Sequence, residues 1–207
     1  MYTLYYSPGA CSLIVHVLLE ELGVPFNLEK ADGKSPEYRA KVNSKGKVPS
    51  LATPQGVITE SVAITEYLCD HHGDGKLLGR PGSWDRARTL ERIATMATEM
   101  QPVFNRFFHA EDFSPEEAVQ AGVKSHAATK LIAWFREQDA ALKTPYWSGD
   151  EFNAGDIFFT VMTRWGRWLD PPANEMRNIR PAYERVIARP SFARAMAREG
   201  VKAFGRT

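Results

Sequence analysis

A chain of 207 residues is long enough for one large domain or for two small ones that share an interface. Lysine and arginine (26) exceed aspartate and glutamate (25) by one, so no strong overall charge favours binding to nucleic acid or to an anionic membrane. No apolar run reaches the ~18 residues of a transmembrane helix, and the first residues lack the basic start and apolar core of a signal peptide.

The two cysteines, Cys11 and Cys69, are too few for a disulfide framework, and neither lies in a zinc-binding array. We therefore expect no metal site and a protein that works in a reducing cytoplasm. Ile14 stands where a thioredoxin-type motif would place its second cysteine, so this chain alone cannot carry out dithiol exchange. The pattern around Cys69 indicates a core position near the end of a helix.

The first part of the chain alternates strand-like and helix-like segments. Residues 2–6 are aromatic and β-prone, and Pro8-Gly9 predicts a turn. Residues 12–22 follow a helical period, and a second strand is expected over residues 26–29. This order predicts a β-α-β unit.

A strand, strand, helix order follows. Residues 48–60 read as two strands around a Pro-Gln-Gly turn. Ser61 is a suitable N-cap for a helix that ends near Gly73.

The pattern changes after the glycine- and proline-rich stretch 73–82, because only helical periods follow it. We therefore predict a first domain over residues 1–76, a linker over 77–83 and an all-helical domain over 84–207.

Several helix starts can be predicted in the second half. Residues 84–108 carry apolar side chains at alternating spacings of three and four. The sequence Ser114-Pro115-Glu116-Glu117 is typical of a helix start, with Ser114 as the cap. Asn153 to Asp156 predicts a capping box before a helix that is apolar nearly all round and hence central. Pro181 and Pro190 are expected to open two further helices.

Three motifs, in this order along the chain, resemble those of cytosolic glutathione transferases, and most closely those of the bacterial beta class. They are Tyr5-Tyr6-Ser7-Pro8-Gly9-Ala10-Cys11-Ser12, Asn43-Ser44-Lys45-Gly46-Lys47-Val48-Pro49 and Thr59-Glu60-Ser61-Val62-Ala63-Ile64. The Asn153 to Asp156 box is similar to the helix cap of that family. The resemblance covers nearly the whole chain. It implies an α/β, thioredoxin-like N-terminal domain, an all-helical C-terminal domain, glutathione as co-substrate, a role in detoxification and usually a homodimer.

Cys11 is expected at the N-terminal end of a helix, where unpaired amides and the helix dipole lower the pKa of a thiol. The same surroundings would suit the thiolate of a bound thiol ligand. Ser12 or the Tyr6 hydroxyl could donate a hydrogen bond to that sulfur. From position alone, a small packing residue is an equally good interpretation of Cys11. The resemblance favours the functional one, with Cys11, Tyr6 and Ser12 as candidate catalytic residues.

By resemblance, five further residues would hold glutathione. Val48 would pair through its main chain with the cysteinyl residue, next to Pro49 in the cis form. Glu60 would accept from the ammonium of the γ-glutamyl group, while Ser61 and helix amides would bind its carboxylate. Lys47 would meet the glycine carboxylate. Without the resemblance, an ordinary loop proline, a helix cap and a solvated lysine would explain these residues equally well.

The second half departs from the beta-class pattern. Gln101 and Pro102 stand where relatives carry a His-Lys pair near the bound sulfur. Gln101 cannot act as a base near pH 7, and Pro102 should kink its helix. Gln101, Phe104, Phe108 and Trp165 are candidates for the pocket of a small hydrophobic electrophile. At helical spacing, however, such aromatic residues are more often core.

The function predicted by this resemblance is conjugation of the glutathione thiol to a small hydrophobic electrophile. One alternative is a glutathione-dependent thiol-disulfide reductase in which Cys11 is the nucleophile. The other is a non-catalytic relative that carries ligands or binds a partner, since a fold does not by itself establish a function.

Overall fold

The computed structural model describes residues 1–205. By packing, the chain forms two compact units. One contains Met1–Thr89 and Ile187–Ala203, and the other contains Leu90–Val186 and residues 204–205. The first unit thus includes a helix from the end of the chain, which the sequence pattern did not indicate. The domain limits predicted above, 1–76 and 84–207 around a linker, stay predictions.

The elements follow one another in this order: β1 (Tyr2–Tyr6), α1 (Ser12–Leu22), β2 (Phe26–Lys30), α2 (Pro36–Lys41), β3 (Ser50–Thr53), β4 (Gly56–Thr59), α3 (Ser61–His72), α4 (Trp84–Thr95), a π-helical turn (Met96–Met100), α5 (Gln101–Phe108), α6 (Glu117–Ala141), α7 (Ala154–Trp165), α8 (Ile179–Ile187) and α9 (Pro190–Glu199). Short 3₁₀ turns lie at Ala110–Asp112, Gly166–Trp168 and Ala173–Glu175.

The sheet of the first unit has the strand order β2-β1-β3-β4. β1 and β2 are parallel, whereas β1 pairs antiparallel with β3 and β3 with β4. Leu4 and Leu51 face each other in this register, and both are fully buried. The predicted strands are confirmed, and so is the thioredoxin-like order of the N-terminal domain.

Helix α1 is the apolar centre of the first unit and packs against β1, α3 and α9. Its side chains from Leu13 to Leu19 are all buried. The helix ends at Gly23, whose φ of 65° is left-handed and therefore suits a residue without a Cβ atom. The start and end predicted for this helix are confirmed.

Two helix starts in this unit differ from expectation or were missed. Glu60, not Ser61, is the N-cap of α3, and Ser61 is the first helical residue. Helix α2 was not predicted, although its signal is present in the sequence. Ser35 accepts a hydrogen bond from the Tyr38 amide, and Pro36 occupies the first helical position.

The second unit is helical, as predicted. Helix α7 is buried from Ala154 to Arg164, so its predicted central position is confirmed. The predicted capping box is also confirmed. The Asn153 side chain accepts from the Gly155 amide at 2.8 Å, and the Asp156 carboxylate accepts from the Asn153 amide at 2.9 Å.

Three predicted features of the helical half need correction. Helix α6 begins at Glu117, and its N-cap is Glu116 instead of Ser114. The Ser114 hydroxyl accepts from the Glu116 amide in the turn before the helix. Pro190 opens α9 as expected, but Pro181 is the third residue of α8. The predicted helix over 84–108 is interrupted by the π-helical turn, where the Gln101 amide donates to the Met96 carbonyl.

Pro102 gives the physical reason for that interruption. It has no N–H to donate, and its ring would clash with a carbonyl one turn earlier in a regular α-helix. The wider π-helical turn immediately before it relieves this conflict. The predicted kink therefore takes the form of a local widening of the helix.

Within residues 1–205, no helix has both the length and the apolar character needed to cross a membrane. In the same part of the chain, no group of three or more histidine, cysteine, aspartate or glutamate side chains could hold a metal ion.

Candidate functional site

Cys11 lies at the N-cap position of α1, directly before the buried part of the helix. Its thiol is half-buried and donates a hydrogen bond to the carbonyl oxygen of Val48, with 3.1 Å between Sγ and oxygen. The sulfur therefore lies at the end of α1 where the helix dipole favours negative charge, while the Leu13 and Ile14 amides already donate to backbone carbonyls.

Cys69 has the opposite surroundings. It is buried in α3, and its burial, with a further contribution from Asp70, raises the pKa of its thiol to about 12. At neutral pH this thiol stays protonated and shielded. Of the two cysteines, only Cys11 is placed to react.

The loop before Cys11 is closed by the Ser12 side chain. The Ser12 hydroxyl is fully buried; it accepts from the Ser7 amide at 3.1 Å and donates to the Ser7 carbonyl at 3.2 Å. Its geometry therefore supports the loop. Tyr6 is half-buried at the end of β1. The predicted hydrogen bonds from Ser12 or Tyr6 to a bound thiolate stay predictions.

A buried carboxylate anchors the same loop to α9. Glu199 accepts from the Gly9 amide at 2.8 Å, and its other oxygen lies 2.8 Å from Nδ1 of His16. Both side chains of the His16–Glu199 pair are fully buried. Buried polar groups need hydrogen-bond partners, and the bonds of Glu199 to Gly9 and His16 tie the Cys11 loop to α9. Sequence reasoning missed Glu199, because nothing local indicates a contact across 183 residues.

Val48 presents its main chain beside Cys11. Its carbonyl accepts from the thiol, while no hydrogen bond from its N–H is found within residues 1–205. The Val48–Pro49 peptide bond is cis, as the resemblance implies. Val48 is half-buried and Pro49 buried. The arrangement offers one donor and one acceptor to the main chain of an extended peptide.

The segment leading to Val48 is held by close backbone packing. Gly46 has a left-handed φ of 67°, and a Cβ atom there would lie 2.3 Å from the Gly33 carbonyl oxygen. The Arg39 guanidinium donates to the carbonyls of Gly33 and Ser44. The Lys47 side chain is exposed, which is compatible with the predicted contact to a carboxylate.

Glu60 and Ser61 lie where β4 meets α3. Glu60 has a φ of 70°, an unfavourable conformation for a residue with a Cβ atom, and such residues often occur at binding sites. Its carboxylate is 71% exposed and lies 3.3 Å from the Lys45 ammonium. Ser61 is buried at the first turn of α3, whose amides can receive an anion. An exposed carboxylate beside a helix N-terminus suits the charged ends of an amino acid.

The four pocket candidates lie in the second unit. Phe104 is 1% exposed and contacts Phe135 and Trp165, with ring centroids 6.2 and 5.3 Å apart, respectively. This burial favours a core role for Phe104. Phe108 is exposed and stacks on Phe104, and Gln101 and Trp165 are half-buried. Their contact with a substrate stays a prediction.

Comparison with known proteins supports the resemblance to glutathione transferases. Residues 2–79 match the model of the glutathione S-transferase N-terminal domain. The glutathione S-transferase GstA of Escherichia coli O157:H7 is 33% identical over 207 residues, which cover 96% of this chain and 99% of that protein.

Two solved structures share the fold over nearly the full length. A bacterial beta-class glutathione S-transferase from Sphingomonas chungbukensis has a TM-score of 0.81 at 28% identity, covering 97% of this chain and 100% of its own. A sphingomonad glutathione S-transferase complexed with glutathione has a TM-score of 0.80 at 28% identity, with the same coverage. The expected resemblance to the beta class is thus confirmed, and this chain belongs to the glutathione S-transferase family.

Proposed function

We propose that this glutathione transferase binds reduced glutathione in its first unit and directs the thiolate at a small hydrophobic electrophile. The observation that carries this proposal is the position of Cys11 at the start of α1, in hydrogen-bond contact with the Val48 main chain. A relative with the same fold is complexed with glutathione.

In the proposed complex, the cysteinyl residue of glutathione pairs with the main chain of Val48, beside Pro49. The γ-glutamyl ammonium binds Glu60, and its carboxylate binds Ser61 and the first amides of α3. Lys47 faces the glycine carboxylate. This set is supported by the Val48 N–H, which has no hydrogen-bond partner in the described part of the chain, by the exposed Glu60 side chain and by the helix end beside it.

The glutathione sulfur then lies near Cys11 and the N-terminal end of α1. The positive end of the α1 dipole favours the thiolate over the thiol, and Tyr6 and Ser12 are the nearby hydroxyl candidates. The rate gain comes from a larger thiolate fraction and from holding both reactants together. No protein base is needed, which agrees with Gln101 and Pro102 at the positions of the family His-Lys pair.

The electrophile is proposed to bind through Gln101, Phe108 and Trp165, with Phe104 as the buried support behind them. We also propose a homodimer, as the resemblance implies. A cytoplasmic location is supported by the two cysteines, which form no disulfide and which a reducing compartment keeps as thiols.

Calorimetric titration with reduced glutathione near neutral pH tests the proposal. We expect saturable binding with a Kd of about 1 mM or tighter, which corresponds to at least about 4 kcal/mol. Turnover of 1-chloro-2,4-dinitrobenzene, with release of chloride, tests the conjugation step. Absence of both binding and turnover would contradict the proposal and favour a carrier or partner-binding role.

The half-buried thiol of Cys11, which forms no disulfide, also favours a second activity, glutathione-dependent disulfide reduction. The Cys11 thiolate would attack the glutathionyl sulfur of a mixed disulfide and expel the other thiolate. A glutathione thiolate would then attack the Cys11–glutathione disulfide, giving oxidised glutathione and restoring Cys11. Intact-mass measurement after incubation with oxidised glutathione tests this activity. We expect an adduct on Cys11 that reduced glutathione releases.

A further inference from the structure

We propose that Tyr38, Asn43 and Ser50 form a carbonyl clamp on Lys47, which sets the direction and donor strength of the Val48 N–H and thereby the affinity for the ligand's peptide backbone. The inference rests on the proposed function, in which Val48 pairs with the cysteinyl residue of glutathione.

Two side chains donate to the same carbonyl oxygen at short distance, and the Ser50 hydroxyl approaches it at 3.4 Å. The Tyr38 hydroxyl lies 2.8 Å from the Lys47 oxygen, and Nδ2 of Asn43 lies 2.9 Å from it. The Ser50 hydroxyl joins both donors, at 3.1 Å from the Tyr38 oxygen and 3.3 Å from Nδ2 of Asn43. All three clamp residues are buried, whereas the Lys47 side chain is exposed.

The protons of the clamp can be assigned without conflict. Oδ1 of Asn43 accepts from the Lys45 amide, so the two hydrogens of Nδ2 point to the Lys47 oxygen and to Ser50. Ser50 accepts one of them, and its own proton faces the Tyr38 oxygen at 3.1 Å and the Lys47 oxygen at 3.4 Å, while Tyr38 donates to Lys47. Each donor of the clamp has an acceptor within it, so the clamp is a closed and fully satisfied network.

The geometry of one peptide unit links this clamp to the candidate site. The Lys47 carbonyl and the Val48 N–H belong to the same planar, trans peptide unit and point in opposite directions. Fixing the carbonyl on one side therefore fixes the N–H on the other, where no partner is found within residues 1–205. Two donors on the carbonyl also polarise the unit and strengthen the N–H as a donor.

Helix α2 shows how the sequence builds the clamp. Tyr38 is the one buried side chain of this six-residue helix. Its hydroxyl is directed at the Lys47 carbonyl, while the other side chains of α2 remain exposed or half-buried. Asn43, in the next turn, accepts from the Gly46 amide through its carbonyl and thus aligns the same segment. Helix α2 and the turn after it thus place two hydrogen-bond donors at the Lys47 carbonyl.

The test compares Tyr38→Phe with Tyr67→Phe, which removes a hydroxyl bonded to the exposed Gln55 side chain of the same unit. We expect Tyr38→Phe to raise the Kd and KM for glutathione by about 5- to 10-fold, with kcat and the KM for the electrophile unchanged. Tyr67→Phe should behave like the wild type. In unliganded protein, the backbone ¹⁵N resonance of Val48 should move upfield in Tyr38→Phe alone.

A second substitution keeps the test decisive if Tyr38→Phe is unstable. Ser50→Ala removes one buried hydroxyl of the clamp and should raise the Kd in the same direction, whereas Ser50→Thr, which keeps the hydroxyl, should retain affinity. Wild-type affinity in folded Tyr38→Phe and Ser50→Ala would overturn the inference and leave the proposed function intact. Failure of the wild-type protein itself to bind glutathione would instead contradict the proposed function.

Discussion

The Cys11 thiol and the Val48 carbonyl oxygen are hydrogen-bonded to each other, with 3.1 Å between sulfur and oxygen. In the proposed complex the ligand's cysteinyl N–H is directed at the same oxygen. The Cys11 thiol and the ligand's N–H therefore compete for the same acceptor, the Val48 carbonyl oxygen. This relationship separates two roles for Cys11, as a neighbour of the glutathione sulfur and as a nucleophile.

Replacing Cys11 distinguishes these roles. In Cys11→Ala the Val48 carbonyl has lost its competing donor, so we expect a Kd for glutathione within about 3-fold of the wild type or tighter. The adduct formed with oxidised glutathione should disappear, because no other accessible thiol is present among residues 1–205. Calorimetry and intact-mass measurement check these two outcomes.

The conjugation rate of Cys11→Ala shows which side chain stabilises the glutathione thiolate. A fall in turnover would place Cys11 beside the glutathione thiolate. Unchanged turnover would exclude that role and transfer it to Tyr6 or Ser12, for which Tyr6→Phe and Ser12→Ala are the next variants.

The two cysteines should also differ sharply in alkylation. With its pKa raised to about 12 by burial and by Asp70, Cys69 should resist iodoacetamide in the native protein at pH 7.5. Cys11 should be modified first, and saturating glutathione should slow its modification. Peptide mass mapping in the presence and absence of denaturant measures both rates. Rapid native modification of Cys69 would show that α3 opens readily.

A charge at Glu60 is expected to contribute to glutathione affinity. Glu60→Gln keeps the size of the side chain but removes the charge that would face the ligand ammonium. We expect a Kd raised by about 10-fold or more, as is typical of losing a charge-assisted hydrogen bond. Glu37→Gln is the control, because Glu37 is an equally exposed carboxylate paired with Lys41. Calorimetric titration of both variants gives the comparison.

Lys45 provides a second variant for the same contact. Its ammonium pairs with Glu60 across a solvent-exposed gap of 3.3 Å, and exposed pairs contribute little to stability. Lys45→Ala should therefore leave the melting temperature nearly unchanged and leave glutathione affinity equal or slightly higher. A Glu60→Gln variant that binds as tightly as the wild type would contradict the proposed γ-glutamyl contact.

Local patterns predicted the elements of this fold wherever a single signal determined them. The apolar period of α1, its Gly23 stop and the Asn153 capping box are all short-range features, and the structure has each of them. Ser114 illustrates the limit of such signals. Its capping pattern is present, yet the hydrogen bond forms in the turn before α6, since a local motif does not determine where a helix begins.

The site was predictable only in part for the same reason. Cys11, Val48 and Glu60 each lie in a short motif of consecutive residues, 5–12, 43–49 and 59–64, that can be recognised by itself. The supports behind them could not be, because they depend on contacts between distant segments. Glu199 reaches the Cys11 loop from the far end of the chain, and Tyr38 lies in a helix that the pattern did not indicate.

The stability of the fold should depend on acid pH through the contacts between α1 and α9. Burial tends to raise the pKa of Glu20 and Glu21. At Glu20 this effect is outweighed by hydrogen bonds from Arg194 and Arg198 and by their charges. At Glu21 it is outweighed by hydrogen bonds from Arg189 and Ser191 and by the charges of Arg189 and Arg194. Both pKa values are therefore lowered from 4.5. A lowered folded-state pKa adds stability that is fully present above the unfolded pKa and is lost as the pH falls through the folded one.

We therefore expect the urea midpoint to fall between about pH 5 and pH 3, with part of that fall removed in Glu21→Gln. At pH 7 this variant should lose about 1–2 kcal/mol, because it weakens a partly buried, charge-assisted contact to Arg189 and Ser191. The exposed Glu37→Gln control should change stability by less than about 0.5 kcal/mol at either pH. An identical pH dependence in Glu21→Gln and the wild type would show that the contact of Glu21 with α9 carries none of the acid sensitivity.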